Sequence, residues 1–157
     1  MTIDDSRLFK EALMLKALGS GLVGAVALTL IHETARRLAP ESAPRVDVLG
    51  MRAIAKTMRA VDAEPPIPLH EAALVGELVS NTAYYSLVGL GPREDALRNG
   101  ALLGLAAGLG AVFLPGPLGL GRQPTETPAT QAMTVAWYVA GGLAAAAAYH
   151  AFTSEDE

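Results

Sequence analysis

Residues 101–114 read ALLGLAAGLGAVFL, with no charged or strongly polar side chain among them. A helix built from this stretch has no wet side, because apolar residues occupy every angle around its axis. Such a helix is surrounded by lipid or by other apolar helices. Arg98 precedes the stretch and Pro115 and Pro117 close it, so the break is where proline dictates one.

Three further stretches of the same character flank it. Ala17 to Ile31 is bounded by Lys16 on one side and by His32, Glu33, Arg36 and Arg37 on the other. Ala72 to about Leu90 holds one ionisable residue, Glu77, and Ala132 to Phe152 leads into the acidic tail Glu155, Asp156, Glu157. A spanning helix takes roughly 20 mostly apolar residues. The second and fourth stretches reach that length unaided; the first and third reach it with flanking residues whose charged ends snorkel to the headgroups. The expected architecture is therefore all-α: a single membrane domain over 1–157, a four-helix bundle with spans at about 16–37, 71–91, 97–115 and 131–152.

Two other readings compete. Ala25-Val26-Ala27 has the small-residue look of a signal-peptide cleavage site, but Asp4, Asp5 and Glu11 are wrong for its n-region and the apolar run continues past it. A water-soluble bundle would need polar faces that the third stretch lacks.

Composition points the same way. Of the 157 residues 51% are hydrophobic but only 5% aromatic, so alanine, leucine, valine and glycine carry the apolar surface. Small residues let backbones approach closely, which suits helix packing in lipid. Gly100, Gly104 and Gly108 recur every four residues on one helix face, and Gly141 with Ala145 and Gly142 with Ala146 repeat the spacing. That ridge serves packing inside the bundle or self-association. A net charge of −4 offers no basic footprint for nucleic acid, and the absence of cysteine excludes disulfides, thiolate metal sites and cysteine nucleophiles.

The long connection at 38–70 is rich in charge and proline. Arg45, Arg52, Lys56 and Arg59 fall on one face of a helix, while Met51, Ile54, Met58 and Val61 fall largely opposite. This is the pattern of an amphipathic helix in the membrane interface, drawn to anionic lipid or simply capping the bundle. Pro65, Pro66 and Pro68 end it. With four spans, Arg7, Lys10, Lys16, Arg93 and Arg98 share one side of the membrane and Arg36, Arg37, Arg45, Arg52, Lys56, Arg59 and Arg122 the other, which leans towards a cytoplasmic long loop.

Chain direction places the end of the first span and the start of the second on one membrane face. His32, Glu33, Arg36, Arg37, His70, Glu71 and the deeper Glu77 gather there. His70, Glu77, Asn81 and Tyr84 form one stripe of the second helix, which belongs towards the bundle interior. Glu77 is the sharpest candidate: unpaired, its carboxyl carries protons; beside Arg36, Arg37 or Asn81, it fixes helix register. His32, His70 and Glu77 are suitable metal ligands by chemistry, but no compact ligand motif joins them, and neither a metal nor a cofactor is expected. His150, Trp137 and Tyr138 read as interfacial residues near the two ends of the fourth span. The Gly/Pro-rich stretch 110–121 lacks the Lys-Ser/Thr of a phosphate loop and reads as structural.

Two segments, Asp47-Val48-Leu49-Gly50-Met51-Arg52-Ala53 and Leu114-Pro115-Gly116-Pro117-Leu118-Gly119, resemble those of an uncharacterised family of short bacterial integral membrane proteins with four helices. The resemblance implies a multi-pass protein of the bacterial inner membrane. The family has no assigned activity, so it transfers no site residue.

The expected function is non-enzymatic: an accessory subunit of a larger membrane complex, or a self-associating structural bundle, with the lipid bilayer as its surroundings. A small transporter or proton-coupled channel using Glu77, Asn81 and Tyr84 is the alternative. An enzyme acting at the His32–Glu33–His70 layer is the third reading.

Overall fold

No proline interrupts residues 3–38, and they wind into one helix of 36 residues, α1 (Ile3–Leu38). At 1.5 Å per residue it is about 54 Å long, well beyond a hydrocarbon core of about 30 Å. In the computed structural model, which describes residues 3–154, four more helices follow: α2 (Val46–Ala60), α3 (Leu69–Tyr85), α4 (Ala96–Phe113) and α5 (Pro128–Thr153). Short 3₁₀ turns at Ser86–Leu90 and Arg93–Asp95 join α3 to α4. No strand occurs among the described residues. The acidic tail Glu155, Asp156, Glu157 lies outside them, as do the side chains of Asp4 and Asp5.

Three helices are long and apolar enough to cross a membrane: Ser6–Leu38, Arg93–Phe113 and Pro128–Thr153. Their most apolar stretches are only 28%, 22% and 33% buried within the chain, so most of that greasy surface faces outward. The second sequence stretch differs from expectation. Its α-helix is 17 residues long and tightens into a 3₁₀ turn at Ser86, instead of running straight to residue 91. The cause is close packing. Gly21 of α1 presses on the backbone of Thr82 and Ser86, and a Cβ on Gly89 would lie 2.7 Å from that of Ala17. Pro92 then forbids further helix.

Neighbouring helices run antiparallel. On α1, Gly24 lies against Gly141 and Ala145 of α5, while Gly19 lies against Phe152. On α4, Gly104 meets Tyr138 and Val139, and Gly108 meets Val135. A Cβ at Gly104 would sit 2.5 Å from the Val139 Cα, and one at Gly108 2.7 Å from the Val135 Cα. The glycine ridge is thus packed on α5 within the chain, as is Gly100 against Gly142 and Ala146. α5 is the central helix, presenting Gly141 and Ala145 to α1 and Gly142 and Ala146 to α4. Buried hydroxyls return to their own helices: Ser20 donates to Lys16 O, Thr134 to Thr130 O and Thr153 to Tyr149 O.

α3 packs along α1 and barely touches α4. Tyr84 spans that gap by donating to Leu103 O at 3.0 Å, and the buried Tyr85 donates to Tyr138 O at 2.8 Å. α3 and α4 are thus only loosely packed on each other.

Candidate functional site

The cap end of the bundle is built from two connections. α2 is amphipathic, as its spacing predicts, and packs its apolar side on α3. Its basic face does not stand free. Arg52 donates to Leu120 O and Arg122 O at 3.0 and 2.7 Å, and Lys56 donates to Leu118 O at 2.6 Å. Arg45 forms a two-bond pair with Asp47 at 2.9 and 2.8 Å. Of the four cations expected to meet lipid, Arg45, Arg52 and Lys56 bond within the chain, while Arg52, Lys56 and Arg59 are all exposed. The reason is geometric: after the break at Pro115 and Pro117 the loop shows its carbonyls to α2. Gly119 and Gly121, at φ +68° and +72°, adopt the left-handed backbone that other residues resist. Two more bonds latch this loop to the start of α2: the Arg45 N–H donates to the Gln123 side-chain oxygen, and Thr125 Oγ1 donates to Ala43 O at 2.7 Å.

Between α2 and α3, and closed by the end of α4 and the turn after it, lies a cavity of about 360 Å³. Its walls are mainly apolar, including Leu49, Ile54, Ala73, Gly76, Ala111 and Pro115, with Tyr138 of α5 behind. The polar side chains that reach it are Asp47, His70, Glu77 and Ser80, with the Tyr138 phenol. Glu77 is eight residues into α3, about 12 Å from its start. Burial pushes the Asp47 carboxyl up, but the Arg45 guanidinium more than offsets this and holds it below the usual aspartate range. Arg45 is correspondingly held above the usual arginine value, chiefly by its bonds to Asp47.

The partner of Glu77 is His32, whose Nδ1 lies 3.1 Å from Glu77 Oε1. The side chains are 8% and 18% exposed. An ionised carboxylate only accepts, so Nδ1 carries the proton in that state. The imidazole rests on two rings of α5, with centroids 5.3 Å from Trp137 and 5.8 Å from Tyr138. His32 Nε2 and Thr29 Oγ1 are buried without a hydrogen-bond partner.

Of the expected polar layer, His32, Glu33, Arg36 and Glu77 do gather, bordering one small pocket with Asp47, and their hydrogen bonds divide them into pairs. Glu33 pairs with Arg36 at 2.6 Å and approaches Arg37 at 3.7 Å, so neither arginine serves Glu77. His32 faces Glu77 across the α1–α3 contact. His70 and Glu77 share the cavity, Asn81 is buried further along α3, and Tyr84 ties α3 to α4. Glu71 is exposed. Trp137 and Tyr138 back the His32 ring inside the bundle, whereas His150 is exposed and lies 3.3 Å from the Arg93 guanidinium. No group of three His, Asp or Glu side chains is gathered for a metal among the described residues.

Sequence reasoning missed Asp47, Ser80, Tyr138, Gln123 and Thr125 as parts of the site and its cap. Asp47 sits in one of the two familiar-looking segments, and those segments turn out to adjoin one cavity: Asp47, Leu49, Gly50 and Ala53 line it from one side and Pro115 from the other. No family model, curated protein or solved structure matches the chain.

Proposed function

We propose that the chain is a multi-pass membrane protein that crosses the bilayer four times and binds a small apolar molecule in the cavity between α2 and α3. The fourth crossing is α3 with its 3₁₀ extension, about 26 Å plus about 10 Å, enough for a hydrocarbon core. Its antiparallel course along α1, from Glu77 beside His32 to Gly89 beside Ala17, supports this reading. On the family resemblance, the membrane is the bacterial inner membrane.

The observation that carries the binding reading is the cavity itself. Its volume lies within the 300–1,000 Å³ of small-molecule sites, and a few convergent polar groups interrupt apolar walls. Because most of that lining is apolar, the activity proposed is binding, with or without transfer across the membrane. The glycine ridge gives less support to self-association than its sequence suggested, since α5 occupies it.

Gly76 lines the cavity, and a Cβ there would lie 3.8 Å from Ile54 Cδ1, an ordinary contact. The chain has no cysteine, so Gly76→Cys introduces a single thiol. In lipid nanodiscs, n-decanol should slow its alkylation by N-ethylmaleimide saturably. Val75→Cys, on a side chain 54% exposed, serves as the outward control. Equal effects at the two positions, or none at Gly76→Cys, would reject the binding site.

A further inference from the structure

We infer that the molecule held in this cavity is an amine-bearing amphiphile with a single apolar body, its ammonium seated at Glu77 and Asp47. The inference rests on the binding reading above and adds the charge and size of the ligand.

Charge follows from the lining. The ionisable side chains reaching the cavity are Asp47, His70, Glu77 and the Tyr138 phenol; no lysine or arginine is among them. An anionic head would meet two carboxylates and no lysine or arginine in the wall to receive it. Arg45 lies against Asp47, but its guanidinium is engaged by both carboxylate oxygens. Glu77 is less fully used. Its hydrogen bond to His32 involves Oε1, and a carboxylate offers about four acceptor positions. An ammonium brings three donors and no acceptor, which is the complementary inventory. At this depth an ammonium without a carboxylate would be strongly disfavoured, so Glu77 provides both attraction and selectivity.

Size follows from the volume. About 360 Å³ is near the lower end for small-molecule sites, which suits one chain or a compact apolar body and not a two-chain lipid. That body would lie along the apolar faces of α2 and α3, with Ala111, Pro115 and Leu120 closing the far wall.

The test compares n-decylamine, n-decanol and decanoate, which share a chain length and differ in head charge. Each is matched by mole fraction in nanodiscs of zwitterionic lipid at pH 7.5, and protection of Gly76→Cys from N-ethylmaleimide is measured. The amine should protect at a mole fraction at least tenfold lower than the alcohol, with decanoate weakest. Glu77→Gln in the Gly76→Cys background should reduce the amine to the level of the alcohol and leave the alcohol unchanged. If Glu77→Gln does not fold, as judged by circular dichroism, Asp47→Asn carries the comparison and should also reduce the amine preference. Protection by decanol with no preference for the amine, or with decanoate strongest, would overturn the charge assignment and leave the binding site standing. An amine preference unmoved in the variant that folds would overturn the seating of the head. Failure of all three compounds to protect would remove the site and this inference together.

Discussion

Breaking the His32–Glu77 contact should show an energetic coupling of about 2 kcal/mol between the two side chains. His32→Phe keeps a ring against Trp137 and Tyr138 but removes the donor at 3.1 Å from Glu77. The carboxylate, 18% exposed, then lies nearly buried without its partner. Leaving a buried neutral group without its hydrogen-bond partner costs about 1–3 kcal/mol and a carboxylate more, and the residual exposure of Glu77 places this change near 3. Glu77→Gln preserves shape and exchanges a charge-assisted bond of about 1.5–3 kcal/mol for a neutral one of about 1, a loss near 1 kcal/mol. The double variant leaves only a neutral amide without its partner, near 2 kcal/mol below wild type. Unfolding of the four proteins in mixed micelles, followed by far-ultraviolet circular dichroism at pH 7.5, measures the cycle. Coupling below about 0.5 kcal/mol, the range of independent sites, would refute a working His32–Glu77 pair.

Other parts of the structure give sharp contrasts. Gly104→Ala should destabilise the bundle by about 1–3 kcal/mol, because its Cβ would meet the Val139 backbone. Gly110→Ala, whose Cβ would meet only the Leu114 side chain at 3.4 Å, should be neutral or stabilising by up to about 1 kcal/mol; thermal unfolding of both variants decides. Because the folded-state pKa of Asp47 is lowered from 3.8, its pair with Arg45 stabilises the cap fully above that value and loses the contribution as pH falls through the lower folded-state value. Hydrogen exchange across α2 should therefore accelerate below about pH 3.8 in wild type, with a smaller acid dependence in Asp47→Asn. Arg52→Ala with Lys56→Ala removes three bonds to loop carbonyls. Proteolytic cutting at Arg122 should then rise several-fold; an unchanged rate would show that the Gln123 and Thr125 latches suffice.

The apolar stretches were readable because burial in a helix needs only period and length. The glycine ridge was readable too, although which helix it met was not. α4 and α5 both carry small residues every four positions, and only three dimensions pair Gly104 with Val139. Residues 72–90 misled at one end: their hydropathy is that of a continuous helix, but the approach of Gly21 and Gly89 to their neighbours favours a 3₁₀ ending. Glu77 stood out as an ionisable residue in an apolar run. Its partner did not, because the sequence offered Arg36, Arg37 and Asn81 as nearby partners, whereas the fold turns His32 towards α3. The basic face of α2 was visible, but its carbonyl acceptors lie some 60–70 residues away and carry no side-chain signature.

Native mass spectrometry of the chain extracted from its own membranes in mild detergent tests the central claim most directly. The cavity reading predicts a single small non-protein adduct on the wild-type chain, absent from Gly76→Leu, whose side chain fills the space beside Ile54. An adduct-free wild-type chain, or the same adduct at equal occupancy on Gly76→Leu, would contradict it.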